Sequence, residues 1–151
     1  MNRLGFKIVK QDLERPWGGF FVIAEDQTEL FLDTYFSDLD KATLMEGGRL
    51  SPKILLVAPQ KRLSWQYHFR RAEQWRVLEG PVAVAQSTND DQPAPKTFQG
   101  GALITLAQGE RHRLIGLTNW GIVAEIWQHT NPAQPSDESD IVRLQDDFKR
   151  V

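Results

Sequence analysis

The sequence predicts an all-β sandwich or barrel, and three observations carry that prediction. Eight short runs of strand character follow one another along the chain, glycine or proline turn signals separate most of them, and helical spacing is confined to two short intervals. Many strands at short, fairly regular spacing bury their apolar faces when two sheets pack or one sheet closes on itself. The 151 residues fit one domain, expected to cover 1–151. A domain of that size buries roughly 70% of its unfolded surface, so its core needs no disulfide or structural metal.

In chain order, Gly18-Gly19 introduces a first strand at 20–24. From 26 to about 45, Leu30, Phe31, Tyr35 and Leu39 fall near helical spacing and predict one or two helices. Strands follow at 53–58, where Lys53 interrupts an otherwise apolar run, and at 62–69, 73–79 and, after Gly80-Pro81, 81–86. The stretch 87–96 reads as a polar loop with two prolines. Gly100-Gly101, Gly109, Gly116 and Gly121 then punctuate strands at 102–106, 112–115 and 122–128. A Pro-rich connector at 129–140 leads to a short C-terminal helix expected at 140–147.

Composition excludes several functions. With 40% hydrophobic and 25% charged residues, the chain reads as an ordinary globular protein. The absence of cysteine removes thiolate nucleophiles, disulfide scaffolds and Cys-ligated metal sites, and is compatible with a cytoplasmic address. No window approaches the ~18 apolar residues of a membrane span, and residues 1–10 hold no signal-peptide core. A net charge of −2 argues against a nucleic-acid partner. Lys61, Arg62, Arg70, Arg71, Arg76, Arg111 and Arg113 nevertheless gather around two segments. They form either solvated strand faces or a pocket for an anionic small molecule. Five Trp and eight Phe suggest a broad core or the face of a homodimer.

The informative strand is 62–69. Leu63, Trp65, Tyr67 and Phe69 alternate with polar residues, so Gln66 and His68 share a face and these four take the other, where the 26–45 helical segment or a second subunit is expected to cover them. That pattern alone describes an amphipathic strand with one wet face. Glu73 follows close enough to return toward the same point, and His112 offers a second imidazole from a later strand.

Gln66-x-His68-x4-Glu73-x6-Gly80 resembles the first cupin motif, with Gln in place of a common His. The stretch from Gly101 to His112 resembles the second, with Ala107 replacing the usual Pro and Gly116 the usual Asn. The wording is most similar to type II mannose-6-phosphate isomerases, whose cupin domain also forms the C-terminal part of certain mannose-1-phosphate guanylyltransferases. Arg15-Pro16-Trp17-Gly18, the run from Leu63 to Trp75, and the closing Asp140-Ile141-Val142-Arg143 with Asp146-Asp147-Phe148 and Arg150 carry that resemblance. Gln60 and Lys149 stand where the family has Gly, the segment 26–50 reads as an insertion, and no Gly-rich nucleotide loop precedes the cupin-like part.

The resemblance implies a jelly-roll barrel with Gln66, His68, Glu73 and His112 as metal ligands. Such a mixed N/O set suits zinc, and Mn, Fe, Co or Ni would also fit. It implies sugar-phosphate isomerisation, with Glu125 as the first candidate for the base and Lys53, Arg71 and Arg143 as cations for the phosphate. For Glu125 the plain alternative is neutralisation of Arg71 or Arg113, and for each cation it is a salt bridge. Trp17 and Trp75 are expected in the core rather than as sugar platforms. Two other functions stay open, a non-catalytic sugar-phosphate-binding cupin and a metal-dependent oxygenase.

Overall fold

The computed structural model describes residues 6–46, 48–131, 133–137 and 139–146. Its strands are β1 (Ile8–Arg15), β2 (Gly18–Ile23), β3 (Lys53–Val57), β4 (Trp65–Tyr67), β5 (Arg71–Glu79) and β6 (Val82–Ser87). They continue with β7 (Lys96–Phe98), β8 (Leu103–Leu106), β9 (Arg111–Gly116), β10 (Gly121–His129) and β11 (Val142–Gln145). The helices are α1 (Thr28–Tyr35), after a 3-10 turn at Glu25–Gln27, and α2 (Lys41–Met45). All strand pairs are antiparallel. They form a six-stranded sheet in the order β1-β2-β3-β10-β5-β8 and a five-stranded sheet in the order β11-β4-β9-β6-β7.

Two apolar layers result. Phe20, Leu55, Val57, Trp75, Val77 and Val123 of the larger sheet, with Trp17 of the β1–β2 turn, meet Val82, Val84 and Leu114 of the smaller one. On the opposite face of the larger sheet, Ile54, Ala124 and Ile126 pack against Phe31, Leu32 and Phe36 of the α1 segment and Leu44 of α2. Apolar contacts on both faces account for the near-continuous burial of β3 and β10. A fully buried Leu, Ile or Phe contributes about 1.5–3 kcal/mol, so the helical segment is part of the stabilising core. Among the described residues, no helix is long and apolar enough to cross a membrane.

Cross-strand register orders the inner face of the larger sheet into rows. At one end lie Val77, Val123 and Leu55. Trp75, Glu125 and Lys53 form the next row, followed by Glu73 with Trp127 and Arg71 with His129. Because side chains of one face recur every second residue, the sheet grades from an apolar floor to a polar mouth. The smaller sheet answers with Arg143, Gln66 and His112 in one row.

Four expectations need correction. The C-terminal stretch does not form a helix: Val142–Gln145 is a strand paired with β4, and residues 147–151 lie outside the described residues. Strand β1 falls where no element was expected, because as an edge strand it is mostly exposed and carries no apolar alternation. Leu63 does not face away from the centre; it precedes the regular part of β4, packs against the inner core and lines the central pocket. The helical segment does not cover the aromatic face of β4. Trp65 is instead covered by the 87–96 loop, donating its indole N–H to the Asp90 carbonyl at 2.9 Å, and the Arg111 guanidinium lies 3.9 Å from the Tyr67 ring centroid.

Gln60 has φ of 60°, the left-handed conformation that favours glycine, and glycine is what the resembled family has there. Gln60→Gly should therefore raise stability, by at most about 1 kcal/mol, because it also gives up the bond from Gln60 Nε2 to the Leu117 carbonyl at 3.0 Å and adds freedom to the unfolded chain. Chemical denaturation with an unchanged m-value would check this.

Candidate metal centre

His68, Glu73 and His112 come together, each 2% exposed, with ligand-capable atoms all within 4.8 Å of one another. Glu73 comes from β5, His112 from β9 in the opposing sheet, and His68 from the residue just beyond β4. His112 Nε2 stands 3.4 Å from Glu73 Oε1, and His68 Nε2 3.8 Å from Glu73 Oε2.

Both imidazoles are oriented from behind. His68 Nδ1–H donates to the Asp140 carbonyl at 2.6 Å, and His112 Nδ1–H donates to the Glu110 carbonyl at 3.1 Å. A ring whose Nδ1 carries the proton presents an Nε2 lone pair on its other side, toward the centre. Burial, with the Arg71 charge, pushes the His68 pKa down to about 4, so the ring is neutral at pH 7, as a metal ligand must be. The turn before β9 is tied to the same point by Gly109 N–H, which donates to the His68 carbonyl at 3.0 Å and needs a φ of +77°.

The donor set fits a divalent metal on a further ground. Glu73 Oε1 is the one buried side-chain polar atom among the described residues without a hydrogen-bond partner. An orphaned buried carboxylate oxygen costs about 1–3 kcal/mol or more, and here it faces an imidazole lone pair. A cation between them would satisfy both. Gln66 reaches the same place, with its amide nitrogen 3.4 Å from His68 Nε2 and 3.5 Å from His112 Nε2, while Oε1 accepts from Ser64 Oγ. Turning the amide over would aim its oxygen at the centre and leave the nitrogen against a hydroxyl that accepts as readily as it donates.

Glu73 is ionised. Burial opposes this, but the Arg71 guanidinium, with the two imidazoles, outweighs burial and holds the carboxyl well below its usual range. Arg71 Nε donates to Glu73 Oε2 at 2.9 Å. Glu125, two residues along β10 from Trp127, is in the opposite situation. It contacts neither Arg71 nor Arg113 by hydrogen bond; its oxygens accept the indole N–H groups of Trp75 at 2.9 Å and Trp127 at 3.1 Å. Burial, then the Glu73 charge, pushes its carboxyl up to about 7 against the pull of Lys53 and Arg71.

A pocket of about 110 Å³ opens beside the centre, lined among others by Gln66, Glu73, Trp75 and Glu125. Its cations are Arg15 and Arg143, exposed at the rim, and Lys53 and Arg71, buried in the wall. Lys53 Nζ lies 4.4 Å from the Trp127 ring centroid. Trp17 and Trp75 belong to the core and also line the pocket. Of the basic cluster noted in the sequence, Arg71 alone lines this pocket. Arg76 pairs with Asp38, Arg111 with Asp90 and Arg70 with Asp137, while Arg113 is fully buried and donates to Leu63, Gln92 and Gln145.

Sequence reading assigned no role to Arg15, Asp140 or Ser136, Arg15 standing only in the opening motif of the resemblance. Asp140 orients His68 through its carbonyl while its carboxylate accepts from the Phe69 and Arg70 amides and from Ser136 Oγ. A buried acid and a serine in a Pro-rich connector give no local signal of this role; Asp140 entered only as part of the closing motif. Ser51 Oγ lies 3.4 Å from His129 Nε2, but His129 Nδ1 accepts the Ser136 amide, so the ring proton faces the serine. That tautomer cannot take a proton from Ser51.

Two outcomes follow from this geometry. His68→Ala or His112→Ala should strip the purified protein of its divalent metal, read by elemental analysis of folded protein; full metal in the double variant would refute the centre. For Glu125, the folded carboxyl titrates near 7 and the unfolded one near 4.5. Between those values the folded state holds a proton that the unfolded state has lost, so stability falls as pH rises through the window. In metal-free protein, the stability of Glu125→Gln relative to wild type should therefore improve from about pH 5 to about pH 8; an unchanged difference would show that Glu125 titrates normally.

The chain matches the family described as mannose-6-phosphate isomerase C-terminal over residues 35–146. It is 35% identical over 140 residues to the alginate biosynthesis protein AlgA of Pseudomonas aeruginosa, covering 93% of this chain. It spans only 23% of that relative's length. Among solved structures it resembles the capsular polysaccharide assembling protein CapF from Staphylococcus aureus, with a TM-score of 0.62 at 13% identity, over 90% of this chain and 34% of that one. A recombinant oxalate oxidase in complex with glycolate aligns with a TM-score of 0.51 at 16% identity, over 63% of this chain and 46% of that one. These two likenesses show a shared fold. By fold this chain is a cupin, and it belongs to the mannose-6-phosphate isomerase C-terminal family.

Proposed function

We propose that this chain is a metal-dependent sugar-phosphate isomerase domain, acting on mannose 6-phosphate and fructose 6-phosphate or a closely related pair. One juxtaposition supports the reading above all. A His–Glu–His centre with an unsatisfied carboxylate oxygen meets, through Glu73 and beside Gln66, a pocket that also holds a carboxyl raised to about 7 and four cations. The similarity to an alginate biosynthesis protein agrees with sugar chemistry.

Gln66, His68, Glu73 and His112 would hold the metal, zinc being the first choice for such a set. When bound, it would supply Lewis-acid polarisation of a sugar oxygen. The proton work falls to Glu125, whose pKa near 7 suits both taking and returning a proton at neutral pH. Glu125 removes the proton from C2 of the aldose and returns it to C1 of the enediol, while a hydroxyl proton passes from O2 to O1. Its two indole partners hold the carboxylate still while leaving lone pairs free. Arg143 and Arg15 at the rim, with Lys53 deeper, suit a phosphate that enters last and anchors the sugar.

Glu125→Gln is nearly isosteric. It should leave metal content and sugar-phosphate binding intact while lowering kcat by about 10²-fold or more, with a parallel loss of C2 proton exchange into deuterated solvent. Arg143→Ala should lower kcat/KM for the phosphorylated sugar and barely change residual activity on the free sugar, because remote binding energy orients the reacting carbons. Metal-loaded wild type that binds phosphosugars but turns none over would support a sugar-phosphate-binding domain instead.

A further inference from the structure

The metal centre is closed from one side by a cation of the protein's own. Arg71 is 6% exposed, and its guanidinium reaches one candidate ligand nitrogen, His68 Nε2, and the second oxygen of the candidate ligand Glu73. Nε donates to Glu73 Oε2 at 2.9 Å and Nη2 to His68 Nε2 at 3.2 Å. Neutral His68, with its proton on Nδ1, has a single lone pair on Nε2. That lone pair can accept the Arg71 hydrogen or coordinate a metal, but not both.

The guanidinium is also firmly held. Nη1 donates to Ser136 Oγ at 3.0 Å and to the Asp137 carbonyl at 3.2 Å, and the group lies flat enough over Trp127 to bring Cζ within 3.5 Å of the ring centroid. Ser136 Oγ donates in turn to Asp140 Oδ2 at 2.6 Å, and the Asp140 carbonyl accepts from His68 Nδ1. Arg71, Ser136, Asp140 and His68 thus form a closed ring of hydrogen bonds that fixes both nitrogens of His68.

We propose that Arg71 is an internal stand-in for the metal: it keeps Glu73 and His68 aimed at one point when the centre is empty, and it weakens metal binding by competing for His68 Nε2 and by placing a fixed positive charge beside the site. The proposal rests on the metal-centre reading and adds to it a residue that tunes affinity. A purely supporting role for Arg71 makes the opposite prediction, because loss of a support would loosen the ligands and weaken binding. A clamp of this kind yields a metal that exchanges and a metal-free protein that stays ordered.

The test titrates Co(II), and Zn(II) by competition with a chromophoric chelator, into metal-free wild type, Arg71→Met and Arg71→Lys. Folding of each is checked by circular dichroism and thermal melting. Arg71→Met should bind Co(II) at least about tenfold more tightly than wild type, since a charge only a few ångströms away acts strongly in a buried site. Its metal-free form should melt lower than wild type. Arg71→Lys keeps the charge but cannot bridge Glu73 and His68 as a fork, so its affinity should fall between the two. That variant also serves if Arg71→Met does not fold. Equal or weaker Co(II) binding by either folded variant would overturn the proposal. Wild type that binds neither metal would instead overturn the metal centre itself.

Discussion

A carboxylate taken out of water costs several kcal/mol unless its charge is met, and a pair of buried charges recovers that cost only with good geometry. Glu73 sits 2% exposed between the sheets, and its charge is met on one oxygen alone. The architecture around it follows from that constraint. Arg71 must be buried to reach it, and Trp127, Ser136 and the 137 carbonyl must be in place to hold Arg71. The chain after β10 is drawn back over the centre for the same purpose, since Ser136 and Asp140 both belong to it. Removing any partner would leave a charge stranded in low dielectric, which is why these contacts form a ring rather than a set of independent pairs.

Register makes this arrangement possible. The inner face of the larger sheet places apolar rows at one end and titratable rows at the other, with no loop needed to carry the acids into position. Residues fixed on strands are held more precisely than residues on loops. A one-residue slip of β5 against β10 would send Glu73, Trp75 and Arg71 to the helix-covered face. The apolar packing at the closed end, around Val57, Val77 and Val123, therefore guards the geometry of the polar end. The helices on the far face stabilise the same sheet from behind.

Much of this was legible in the sequence, for reasons that can be stated. The polar alternation of 62–69 announced that Gln66 and His68 share a face, and period-2 logic is strong where a strand is regular. It failed at Leu63, where the chain leaves regular β geometry before β4 begins. Glu73 and His112 were identified by their spacing and by family resemblance, which encodes tertiary proximity that spacing alone lacks. What stayed hidden is non-local. Residues 140–147 read as helix because a short polar stretch with few apolar residues is ambiguous in period; pairing with β4, more than seventy residues earlier, decides for strand. Strand β7 escaped because three residues at the end of a proline-containing loop, two of them exposed, carry no pattern. The role of the Asp140 carbonyl could not be read at all, since any residue supplies a carbonyl.

The two buried acids of the pocket show how one fold assigns different chemistry to the same side chain. Glu73 and Glu125 lie on adjacent strands of one sheet face, one row apart, and both are at most 5% exposed. Glu73 receives a guanidinium and is held low; Glu125 receives two indole N–H groups, which stabilise a charge far less, and is pushed up to about 7. Glu73's own negative charge adds to that rise. Pairs of titratable groups driven apart in this way divide the work of a site, the permanently ionised member suiting a cation and the poised member suiting a proton. Burial alone would raise both carboxyls; Arg71, with the two imidazoles, holds Glu73 low and so separates them. The polarity of the pocket, with its ligand side at Glu73 and its proton side at Glu125, thus traces to which of two neighbouring glutamates the arginine reaches.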